Sequence, residues 1–107
     1  MTRRRDSLPA ELVEDVKVYL GITWQDDITD RRIGGLIGAG MAYIDGKYGG
    51  EADYDSDGLP RSLLFEYVRY ARDSALDVFE NNYMSMILAM QHERRVCQSE
   101  ELHTAES

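Results

Sequence analysis

Apolar residues recur at intervals of three and four along most of the chain, the period of α-helices that each bury one stripe. Leu12, Val13, Val16, Tyr19 and Leu20 form the first stripe, with Glu11, Glu14, Asp15 and Lys17 placed off it. Ser7, Pro9 and Glu11 suit the start of that helix as cap, first-turn proline and acid at the positive end of the helix dipole, and Gly21 is its natural stop. Residues 23–27 make a short connection whose acids can cap the second helix, carried by Ile28, Ile33, Leu36, Ile37, Met41 and Ile44. Leu59 and Pro60 open a third helix with Leu64, Tyr67, Val68, Ala71, Ala75, Val78 and Phe79 at helical spacing, flanked by Leu63 and Leu76. Asn81 and Asn82 punctuate the chain before a fourth stripe of Tyr83, Met86, Ile87 and Met90. The pattern predicts an all-α protein, a small bundle of about four helices with one long acidic loop at 46–58 and a flexible polar C-terminal tail at 92–107. Residues 1–91 form one helical domain, opened by a basic flexible arm at 1–7.

The second helix is dense in glycine. Gly34, Gly35, Gly38 and Gly40 each cost about 0.8–1 kcal/mol relative to alanine in a helix interior. Two readings follow: Gly34 and Gly38, four apart, let another backbone approach closely, or the helix is broken there. A dinucleotide-binding turn does not fit, because the glycines run in reversed order and no strand precedes them. In the acidic loop, Asp53, Asp55, Asp57 and Gly58 copy the first half of a calcium loop, but the twelfth position, where a bidentate glutamate closes the cage, is Leu64. The loop reads as solvated and exposed rather than metal-binding.

Size and charge narrow the function classes. A chain of 107 residues holds one modest core. Twelve Lys and Arg against 20 Asp and Glu give a net charge of -8, which opposes binding DNA by phosphate neutralisation. Cys97 is alone, so no intrachain disulfide is expected, and zinc spacings are absent. No apolar segment follows the N-terminal charges, and the longest uncharged run, 33–44, is too short for a bilayer span. A soluble protein made in the cytoplasm is expected. The histidines, His92 and His103, both lie in the polar tail, away from any grouping of nucleophile, base and orienting residue. No catalytic residue, metal or cofactor is expected.

Two stretches carry a resemblance. Residues 16–24, then Asp27, Asp30, Leu36, Ile37, Tyr43 and Ile44, look like the opening of the tailed-bacteriophage head-tail connector family, also called head-completion or adaptor proteins. Residues 58–72, running on to Ala75, Leu76, Phe79, the 80–83 stretch and Leu88, are similar to that family's long helix and the helix after it. The resemblance covers roughly residues 11 to 91. It implies a virion subunit at the head-tail neck that forms a homo-oligomeric ring under the portal protein, extends the channel for double-stranded DNA and offers a docking surface to a tail or head-closure protein. On that expectation Glu51, Asp53, Asp55 and Asp57 face the channel or the tail. Gly34, Gly38, Arg69 and Arg72 belong to the contact between copies, and Arg94 and Arg95 lie in a tail against the portal. Acids at a lumen would limit DNA attraction and let it slide. The rival expectation is a small regulatory module binding DNA or a protein through a helix-turn-helix-like pair, with Arg31 and Arg32 as readers; Asp26, Asp27 and Asp30 beside them work against it.

Overall fold

The computed structural model describes residues 10–106, with side chains described for 11–98. It is a small all-α bundle of four helices: α1 (Ala10–Leu20), α2 (Asp27–Tyr48), α3 (Leu59–Arg72) and α4 (Leu76–Glu106). The expected Ser7 cap, Pro9 and the basic arm lie outside the described residues. Where the local chemistry of the ends is described, it is explicit. Gly21 takes φ 80, and the bonds from Gly21 N to Val18 O and Ile22 N to Lys17 O close α1 in a Schellman motif. Asp26 caps α2, accepting from Thr29 N at 3.3 Å and from the Thr29 hydroxyl at 2.7 Å. Gly49, at φ 90, ends α2 through its N–H to Asp45 O. Pro60 sits in the first turn of α3, where a missing N–H loses nothing.

The core joins all four helices around Val16, Ile33, Ile37, Ile44, Leu63, Leu64, Val68, Phe79, Ile87 and Met90. Helix α3 packs against α4, α2 and α1, and the second helix is unbroken through its glycines. At 31 residues, α4 is roughly 46 Å long and accounts for the 53 Å axis of a body only 29 and 23 Å across.

Five expectations need correction. The third helix ends at Arg72, not at the asparagines: Ser74, at φ 56, takes the left-handed position usually given to glycine, with Ser74 N bonded to Ala71 O and Ala75 N to Tyr70 O. Asn81 and Asn82 lie inside α4. The backbone of the polar tail from His92 is helical and continues α4 to Glu106. The loop is shorter than 46–58, because α2 holds residues 46–48. Tyr19, Ile28 and Val78, expected on buried stripes, are exposed, while Lys17, expected outside, is buried.

Candidate interaction surfaces

The acidic loop is solvated at alternate residues and anchored between them. Glu51, Asp53, Asp55 and Asp57 are exposed, whereas Ala52 and Tyr54 are buried. Asp45, in the last turn of α2, does the anchoring: one carboxylate oxygen accepts from Tyr54 Oη at 2.7 Å and from Ala52 N at 3.0 Å. Arg61, from the first turn of α3, donates to Tyr54 O at 2.9 Å and to Asp15 of α1 at 2.8 Å, and its guanidinium lies 4.8 Å from the Phe65 ring centre. Asp53 accepts from the amides of Asp55 and Ser56, a local Asx turn that occupies the carboxylate a calcium loop would aim inward. Among the described residues no three His, Cys, Asp or Glu side chains converge as a metal site. The loop is therefore a fixed acidic projection.

Arg94 is held inside the chain. It stacks 4.7 Å from the Tyr48 ring centre and its guanidinium covers Gly50, where a β-carbon would sit 2.9 Å from Nη1. With Asp53, Asp57, Pro60, Glu93 and Cys97 it borders a cleft of about 220 Å³ between loop and α4. Arg95 is exposed. Only the second of the two arginines expected to meet a portal is thus presented outward.

The residues expected between copies also divide. Gly38 is buried within the chain and Gly34 is half-buried. Within the chain, a close approach on this helix occurs at Gly40, where a β-carbon would meet Leu64 Cδ1 and Tyr67 Cδ1 at 2.8 Å. Arg69 pairs with Glu66 one turn earlier at 2.7 Å and lies over the Tyr70 ring. Arg72 is exposed.

Behind these surfaces lies a junction of five rings. Phe79 packs within 5.3–6.1 Å of the centres of Tyr43, Tyr67, Tyr70 and Tyr83. Its phenols end on acids: Tyr43 donates to Glu80 at 2.7 Å and Tyr83 to Glu66 at 2.9 Å. Burial, reinforced by the Glu80 carboxylate, pushes the Tyr43 phenol up to about 12, while the same bond holds Glu80 below the usual glutamate range. Lys17, 2% exposed, ties α1 to α2 through Asp30 at 2.7 Å, and that bond raises its pKa against the opposing effect of desolvation.

Sequence reasoning missed Lys17, Tyr54 and Arg61. Lys17 stands among Val13, Val16 and Leu20, and Tyr54 is an aromatic residue inside an acidic loop; both are signals that a polar residue faces inward or an apolar one anchors a turn. The outer surface keeps apolar side chains too. Val18 is 75% exposed, Ile28 72% and Leu88 55%, with Trp24 and Met84 also open to solvent. No described helix is long and apolar enough to cross a membrane. Compared with known proteins, the chain matches no family model, no curated protein and no solved structure.

Proposed function

We propose that this chain is a structural subunit of a bacteriophage head-tail connector, assembled as a ring beneath the portal and converting no substrate. The observation that carries the reading is the resemblance of residues 58–72 and the helix beyond to that family's long helix pair. The arrangement of charge and shape supports it. Helix α4 runs on about six turns past Tyr83 and gives the body one long axis, suited to reaching from a ring toward a larger collar. The acidic loop, pinned by Asp45 and Arg61, holds Glu51, Asp55 and Asp57 outward at a fixed place. Fixed negative charge facing a channel lowers the attraction of DNA for its wall and permits sliding. Arg95 and the end of α4 are the portal-contacting element in this scheme.

Electron microscopy of the purified chain mixed with its cognate portal protein tests the proposal. A ring of added density on the portal's tail-facing side is the expected result. A portal left bare, with the chain instead retaining duplex DNA in a gel shift at physiological salt, would overturn it in favour of the regulatory reading.

A further inference from the structure

Helix α4 presents an exposed stripe along Asp77, Asn81, Met84, Leu88, His92 and Arg95, spaced three and four apart. Its centre is apolar, its start acidic and its far end basic. Met84 and Leu88 are 40% and 55% exposed. Helix α2 has an outer stripe of the opposite character: Ile28, Arg32, Gly35, Ala39, Ala42 and Gly46, again three and four apart and all exposed. Its centre is smooth. A β-carbon at Gly35 or Gly46 would meet nothing within 4 Å, so among the described residues no packing calls for glycine at either place.

The two stripes match in one parallel register. Offsetting α2 by 45 or 46 residues sets Arg32 beside Asp77, Ala39 beside Met84, and Ala42 beside Leu88. Opposite charges meet where Arg32 faces Asp77, and beyond that pair large apolar side chains meet small ones, which shortens the distance between helix axes and buries Met84 and Leu88. We infer that the exposed face of α4 docks on the exposed face of α2 in a second copy of this chain. The contact uses different surfaces on the two partners, so it leaves a free α2 and a free α4 face and propagates head to tail, as a ring requires. It rests on the connector reading only for closure into a ring; the pairing of faces stands on the stripes themselves.

Cysteine cross-linking tests it in a Cys97→Ser background. One protein carries Ala39→Cys and the other Met84→Cys. The expected result is a disulfide-linked heterodimer on mixing, well above the level given by Ala39→Cys with a control Val18→Cys on the exposed face of α1. Adding Gly35→Leu to the Ala39→Cys partner abolishes the heterodimer without lowering the melting temperature, because the added side chain projects into open space. Arg32→Glu or Asp77→Arg alone weakens the cross-link, and the two together, one on each partner, restore it. Cross-linking no better than the control, or homodimers of Ala39→Cys alone in place of the heterodimer, overturns the inference. A heterodimer formed by a chain that leaves the portal bare keeps the contact and removes the connector reading, whereas portal density without the cross-link does the reverse.

Discussion

The inner and outer faces of α2 both carry glycine, and the reasons differ. At Gly40 a β-carbon would lie 2.8 Å from both Leu64 and Tyr67, so the missing side chain is what lets α3 approach. At Gly35, less than two turns earlier on the same helix, the space is open. Each glycine weakens the helix by a similar amount, but only the first is compensated by packing inside the chain. The comparison separates residues kept for folding from residues whose account lies outside the folded monomer. The same division holds on α4, where Phe79 and Met90 face inward and Met84 and Leu88 face outward.

The largest effect belongs to the inner side. Phe79→Ala removes the ring shared by four tyrosines and costs about 3–5 kcal/mol of folding stability, read from chemical denaturation. Leu88→Ala, on the outer side, changes monomer stability by about 0.5 kcal/mol or less and shows its effect in self-association. Equal losses from the two would erase the distinction between the faces.

Next come the glycines themselves. Gly40→Ala forces Leu64 and Tyr67 aside and destabilises the fold by about 1–3 kcal/mol. Gly35→Ala gains about 0.8–1 kcal/mol, because a better helix former enters open space. Thermal melts of the two variants should therefore move in opposite directions. Two shifts downward would mean that Gly35 also serves the monomer.

This division explains what was legible from the residues alone. The four buried stripes announced themselves because burial selects large apolar side chains at helical spacing, and Gly21 and Asp26 were readable because their roles are local. The break at Ser74 carries no glycine or proline to mark it. The two asparagines resembled a stop, yet Asn82 instead donates to Tyr70 Oη across the α3–α4 turn. Tyr54 is anchored by Asp45 nine residues away, a pairing that no local pattern encodes. Glu, Arg and Gln sustain the helix through the polar tail by intrinsic propensity, which an apolar period does not register. The outer stripe of α2 stayed hidden for the opposite reason: alanine and glycine leave no hydrophobic signature, and its meaning emerges only when solvent exposure is known.

The smallest effect concerns the phenols around Phe79. Tyr43 titrates near 10.0 when unfolded and at about 12 in the fold, with burial as the larger cause and the Glu80 carboxylate the next. Between those values the unfolded chain releases a proton that the folded chain keeps, so this contribution to stability is intact below pH 10 and is lost as pH rises toward 12. Tyr67 and Tyr83 are raised in the same direction by burial and add to the loss. Glu80→Gln withdraws the carboxylate while leaving the ring buried, so tyrosinate absorbance should show Tyr43 titrating lower than in the parent but still above the ordinary tyrosine range. A return to the ordinary range would mean that charge rather than burial governs the site, and that the inner face is wetter than its packing indicates.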